Sequence, residues 1–258
     1  MGVGEAGWIV LGTRFRCLGV PPAVERDLAA LLAGFPAAGK TGDAVEIQVG
    51  GEPTTSAQAI EYRLVNEAIA RARDRWVLHA GAVEGPRGTC LVVGASGAGK
   101  TSLTLWLWSS GQRLVADDLC PVAHGSLAPE RFARALHMDG DYSPRLLARI
   151  PPRPPHFPAD YYPFPEPTAA APAAVSDLLV LERGGEGIAP LSQAEAVHQL
   201  LGAVIKSPGF DYGRALGDMI RLASGCRAHR LRFATPEGAG DAALALLRSP
   251  SPSGEGLG

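Results

Sequence analysis

The sequence predicts an α/β fold, and three observations carry that reading. Short apolar runs of strand character alternate with stretches whose apolar residues recur at helical spacing. A loop of small residues, Gly94 to Gly99, stands between a continuously apolar run and a helix that is apolar on nearly every side. The chain has 258 residues, 46% of them hydrophobic, enough to bury a core without disulfide or metal staples.

In order along the chain, Trp8 to Arg16 reads as a strand and Pro22 to Phe35 as a helix with Leu28, Leu31 and Leu32 on its apolar face. Val45 to Val49 alternates like a short strand. Pro53-Thr54-Thr55-Ser56 then offers capping side chains for a helix from Ala57 to about Arg73, along which Ile60, Leu64, Ala68 and Ile69 recur. Residues 1–74 thus read as a small N-terminal α/β portion packed on the core that follows. Trp76 to Val83 reads as a strand, Gly85-Pro86-Arg87-Gly88 as a turn and Thr89 to Val93 as a second strand. Lys100 to Ser110 is the apolar helix (Leu103, Leu105, Trp106, Leu107, Trp108), with Gly111 as a left-handed terminator. Arg113 to Ala116 is a short strand ending on Asp117-Asp118, expected beside the loop in a parallel sheet.

Beyond that point, nine prolines fall between residues 151 and 172, interleaved with Phe157, Tyr161, Tyr162 and Phe164. Such a run excludes regular helix and central strand and marks 151–174 as an extended insertion. Val175 to Leu181 reads as a strand, Gln193 to Ile205 and Arg214 to Ala223 as helices, Arg227 to Phe233 as a strand and Gly238 to Leu247 as a closing helix. The second unit therefore spans 75–248, and 249–258, rich in Ser, Pro and Gly, reads as a disordered tail.

Charge and composition narrow the function classes. Lys+Arg 24 against Asp+Glu 26 gives a net charge of −2, which excludes a broadly basic nucleic-acid binder or membrane-surface protein. No run approaches 18 uninterrupted apolar residues, and no basic segment followed by an apolar one signals secretion, so a cytoplasmic protein is expected. Cys17, Cys90, Cys120 and Cys226 lie far apart with no C-x-x-C pair, which supports neither a disulfide framework nor a zinc site. The basic residues comprise 21 Arg and only three Lys, at 40, 100 and 206.

One of those lysines completes a motif. Gly94, Ala95, Ser96, Gly97, Ala98, Gly99, Lys100 and Thr101 fit G-x-x-x-x-G-K-[ST], the phosphate-binding loop, with Ser102 following on the helix. The glycines let backbone N–H groups curl around phosphate oxygens, and the helix aims its positive end at the same place. Lys100 would supply a compact charge for the β- and γ-phosphates and Thr101 a hydroxyl for Mg²⁺, so ATP and Mg²⁺ are the expected cofactors. Asp117 and Asp118 follow 17 and 18 residues past Lys100, at a strand end where open α/β sheets bind ligands. Adjacent acids on a strand point to opposite faces, which allows one to hold a metal and the other to accept a proton.

Leu78-His79, the hairpin, the 94–101 loop and Gly111-Gln112-Arg113-Leu114-Val115-Ala116-Asp117-Asp118 together resemble the catalytic domain of HPr kinase/phosphorylase, a P-loop fold shared with PEP carboxykinase. The resemblance covers about residues 76 to 122. It implies a mixed sheet with flanking helices and an ATP-dependent kinase acting on a Ser/Thr-type hydroxyl of a peptide or protein. It further implies that Asp117 is the proton-accepting base, Asp118 a metal-side carboxylate and His79 a residue near the phosphates. The helix continues Thr101-Ser102-Leu103 without the acidic residue typical of the bacterial HPr kinases, and no glycine-rich signature segment follows the acids. The chain is thereby more similar to the divergent HPr-kinase-like proteins of peptide modification, including kinases of lasso peptides. A homo-oligomer stays open, as do a small-molecule kinase and a non-catalytic nucleotide-binding regulator.

Weaker candidates have bland readings beside them. His79 on an apolar strand fits an active-site residue or a core histidine, Asp139-Gly140-Asp141 a Mg²⁺ contact or a surface turn, and Glu182-Arg183 a pair facing the site or a surface pair at a strand end. The proline and aromatic run at 151–167 fits a peptide-binding flap or a linker, and Lys206 a substrate contact or a helix-terminal lysine.

Overall fold

The computed structural model describes residues 7–39, 43–49, 56–138, 142–150, 152–155, 157–165 and 170–249. In the N-terminal portion, β1 (Gly7–Val10) and β2 (Thr13–Leu18) form a hairpin, β3 (Ala37–Ala38) pairs antiparallel with β1, and β4 (Val45–Gln48) runs parallel to β2. The expected single strand over Trp8–Arg16 is thus two. Leu11 and Gly12 both take positive φ (50° and 80°) and reverse the chain between them. Helices α1 (Pro22–Leu31) and α2 (Ala57–Arg71) bring Leu28, Leu31, Ile60 and Leu64 into the core with Val10 and Phe15, and Ser56 caps α2 through the Ala59 N–H.

The rest of the chain is built around a six-stranded mixed sheet in the order β13-β14-β12-β7-β6-β8. These strands are β6 (Gly81–Gly85), β7 (Gly88–Gly94), β8 (Arg113–Ala116), β12 (Val175–Arg183), β13 (Gly187–Pro190) and β14 (Arg227–Phe233). Short ribbons β5–β9 (Arg75–Leu78 with Cys120–Ala123) and β10–β11 (Leu136–His137 with Tyr161–Tyr162) flank it. The remaining helices are α3 (Lys100–Ser109), α4 (Pro144–Leu147), α5 (Gln193–Ala203), α6 (Tyr212–Ser224) and α7 (Pro236–Arg248). Both faces of the sheet are covered, as period-two side chains require where a strand is apolar at successive positions, as β7 is from Cys90 to Val93 and β12 from Leu178 to Leu181. Leu91 and Val93 of β7 and Leu178 and Val180 of β12 join the core holding α2, α5 and α6, while Cys90, Val92, Leu179 and Leu181 join that of α3 and α7. Among the described residues, no helix is long and apolar enough to cross a membrane.

Strand directions decide where the site falls. β14, β12 and β7 are mutually parallel, β6 is antiparallel to β7, and β8 is antiparallel to β6. Strands β7, β12, β14 and β8 therefore all end on one side. The expected placement of Arg113–Ala116 directly beside the loop strand is corrected: β6 lies between, because a tight hairpin turns β6 straight into β7. The expected strand Trp76–Val83 is also two, since Ala80 N–H bonds back to Leu78 C=O (2.9 Å) and breaks the chain at His79. Nor is the proline-rich segment wholly irregular. Tyr161-Tyr162 pairs with Leu136-His137, and Phe157 and Phe164 are buried.

Two buried features hold this frame. Asp177 on β12 is 1% exposed and accepts hydrogen bonds from Arg87 (3.0 and 3.2 Å) and Arg227 (2.8 and 3.1 Å), so its charge is fully engaged. Helix α3 lies so close on β6 that a Cβ at Gly81 would come within 2.2 Å of the Thr104 Cγ2 methyl. Gly81→Ala is expected to destabilise the fold by about 1–3 kcal/mol in chemical denaturation. Thr104→Ser removes that methyl and keeps the hydroxyl, so the double variant should recover most of the loss.

Candidate functional site

The site forms where the four co-directional strands end. A cavity of about 440 Å³ is lined by the glycine-rich loop and the start of α3 (Ser96, Gly97, Gly99, Lys100, Thr101, Ser102), by Asp117 and Asp118 beyond β8, and by His79. Arg134, His137, Tyr142 and Arg183 line it from the remaining side. All three residues expected to be catalytic, and both expected metal-side residues, meet in this one space.

The loop takes its shape from positive φ at Gly97 (72°) and Gly99 (97°), a region that costs any side chain dearly. Gly99 opens α3 with no side-chain cap and no acid in the first turn, whereas α2, α4, α5, α6 and α7 are each capped by a Ser, Asp or Thr. The first N–H groups of α3 therefore face the cavity without a side-chain acceptor, with the positive helix end behind them. Lys100 folds its ammonium onto the loop carbonyls of Gly94 (3.1 Å) and Ala95 (3.2 Å), which uses two of its three donors. Burial pulls its pKa down from the usual lysine value against the opposing attraction of Asp118 and Asp117.

The two acids do not behave alike. Asp117 is 7% exposed, and its Oδ1 accepts from the Thr104 hydroxyl at 3.0 Å. Burial pushes its pKa up to about 6, with the Asp118 charge adding to the rise, while the Thr104 and Thr101 hydroxyls and Lys100 oppose it. Asp118 is half-exposed, and the His79 Nε2 lies 2.8 Å from its Oδ1. That hydrogen bond, with the charges of Arg134 and Lys100, holds its carboxyl below the usual range despite partial burial. The expectation that a strand pleat sends the acids to opposite faces is corrected: both lie past the end of β8. The Leu119 N–H bonds to Asp117 C=O (2.8 Å) across Asp118, whose φ is +68°. This γ-turn, rather than a pleat, separates the two carboxylates while keeping both on the cavity.

Other expectations divide. His79 belongs to the cavity wall, not to the core. Arg183 lines the cavity, but Glu182 pairs on the surface with Arg230 (3.3 Å) and Arg232 (3.2 Å). Lys206 sits over the Tyr212 ring at 5.2 Å and does not line the cavity. Asp139-Gly140-Asp141 lies outside the described residues. Sequence reasoning missed Arg134, His137 and Tyr142, and also Glu61, which grips Arg134 from α2 at 2.6 and 2.9 Å.

Hard oxygen donors suit Mg²⁺, and the cavity offers the Thr101 hydroxyl with the two carboxylates. Among the described residues there is no group of three or more His, Cys, Asp or Glu side chains arranged for a metal. The donor set fits a cation that shares its coordination with a phosphate ligand.

No family model and no curated protein matches the chain. Among solved structures it is similar to the Hpr(Ser) kinase/phosphatase from Coxiella burnetii, at 12% identity and a TM-score of 0.32, over 66% of this chain and 93% of that one. At that level the likeness carries no argument about chemistry, which rests on the cavity itself.

The raised pKa of Asp117 links the site to stability. A carboxyl whose native pKa (about 6) exceeds its unfolded value (3.8) favours the native state most below about pH 4, and that contribution is lost as pH rises through 6. Asp117→Asn, which cannot ionise, should therefore be more thermostable than the parent at pH 8, on the order of 2 kcal/mol. Melting curves from pH 8 to pH 4 should show the difference vanish.

Proposed function

We propose that the chain is an ATP-dependent kinase that transfers the γ-phosphoryl group to a Ser/Thr-type hydroxyl of a peptide or protein. The observation that carries this reading is the meeting, in one cavity, of an uncapped helix N-terminus behind a G-x-x-x-x-G-K-T loop with a buried carboxyl of pKa about 6. The choice of a peptide or protein acceptor rests on the sequence resemblance of residues 76 to 122.

In this mechanism the loop N–H groups and the Lys100 ammonium bind phosphate oxygens, exchanging the loop carbonyls of Gly94 and Ala95 for them. Asp117 accepts the proton of the acceptor hydroxyl as its oxygen bonds to the γ-phosphorus and the bond to the ADP oxygen breaks. A base with pKa about 6 is ionised at neutral pH yet close enough to it to take a proton in the transition state. Thr104 aims that carboxylate, and His79 fixes Asp118. Thr101 and Asp118 would hold Mg²⁺, which supplies charge neutralisation on the phosphates when bound.

Labelled-ATP transfer to candidate peptides tests the reading. Lys100→Ala should lower transfer by about 10³-fold or more, by removing the charge stabilisation at the phosphates. Asp117→Asn should bind ATP like the parent and lose transfer, and the parent rate should rise with pH through about 6. Undiminished turnover in Asp117→Asn would remove Asp117 as the base. ATP binding by the parent with no transfer to any hydroxyl and no hydrolysis would instead favour a nucleotide-binding regulator.

A further inference from the structure

Glu61 lies on α2, in the N-terminal portion, and is 2% exposed. A carboxylate that deep must be paired, and it is: its two oxygens take the Nε (2.6 Å) and Nη2 (2.9 Å) of Arg134, a side-on fork across 73 residues of chain. That grip occupies one edge of the guanidinium and fixes the direction of the other. Among the described residues, Nη1 donates no hydrogen bond. It stands 3.6 Å from Asp118 Oδ2, an ion-pair distance too long for a good hydrogen bond, on the wall of the cavity. The cavity thus presents N–H donors from Lys100, Arg134 and Arg183 beside the carboxylates of Asp117 and Asp118, so groups that can hold an anion stand next to groups that can hold a cation or a proton. If the loop and the α3 N-terminus hold the phosphate chain, Arg134, which stands with the acids across the cavity from them, is placed to meet its outer, transferable end.

We propose that Arg134 contacts the transferable γ-phosphoryl group through Nη1, and that Glu61 is a positioning residue that sets its angle, so that the N-terminal portion completes the site. This rests on the reading of the cavity as a nucleoside-triphosphate site. A guanidinium clamped on one edge offers its remaining N–H groups with little entropy left to lose, which a lysine in the same place does not.

The test compares the affinities of the full chain for ATP and for ADP, with Mg²⁺, by calorimetry. Arg134→Lys keeps a charge for Glu61 and loses the fork; it should weaken ATP about tenfold and leave ADP unchanged. Glu61→Gln should lower the ATP-to-ADP affinity ratio by a smaller factor, and the double variant should fall no further than Arg134→Lys, since both changes act through one contact. Additive losses, equal losses for both nucleotides, or an unchanged ratio in Arg134→Lys would overturn the proposal. If Glu61→Gln does not fold, the ratio in Arg134→Lys decides alone. Outcomes for the two readings separate cleanly. ATP binding with the expected ratio but no phosphoryl transfer sinks the kinase and spares Arg134. Transfer with an unchanged ratio does the opposite, and a chain that binds no nucleotide ends both.

Discussion

The site depends on keeping one carboxylate buried and still ionisable. Asp117 has lost most of its water, and the Thr104 hydroxyl 3.0 Å away stands in for it. Thr104 is in reach because α3 lies against β6 at Gly81, where no Cβ fits. That same approach sets the N-terminus of α3, and with it Lys100 and the loop, relative to the end of β8. A single helix-on-strand contact thus fixes both the phosphate-facing groups and the base, and an error there displaces both together.

The second acid is handled by the backbone. Asp118 takes a left-handed conformation that most side chains avoid, and the turn it makes presents its carboxylate to His79 while Asp117 stays buried. The environments push the pKa values of the two neighbours apart, one up and one down. Divergent environments for adjacent carboxyls are what allow one to exchange a proton while the other keeps its charge.

Much of this was legible in the sequence, for a physical reason. The apolar strand, the small-residue loop and the apolar helix follow one another without a break in the chain, so their residue pattern announces them even though β12 and α7, which complete their packing, arrive from far along the sequence. Lys100, Thr101, Asp117 and Asp118 sit at the ends of those elements, so the pattern located them. Arg134 was not legible, because the stretch around it has no periodicity and its partner Glu61 reads as one more polar residue on a helix. The break at His79 was hidden inside an apolar run that serves two separate sheets. β13 was hidden too, since Gly187-Ile188-Ala189-Pro190 is too short and too rich in turn residues to read as a strand. The intervening position of β6 was invisible for another reason: strand order in a sheet is a long-range property that residue spacing does not encode.

The topology also has a consequence for assembly. Strands β6, β7 and β8 with α3 lie within residues 81–116 and pair with one another, whereas β12 must find β7 across a stretch of chain reaching from Gly94 to Val175. Long closures cost more chain entropy than short ones and slow the contacts that need them. By closure length alone, the loop and the acid pair can take shape before β12, β14 and the clasp between α2 and Arg134. A chain caught midway would carry the phosphate-facing loop without the guanidinium opposite it, so the last contacts to form would also switch the site on.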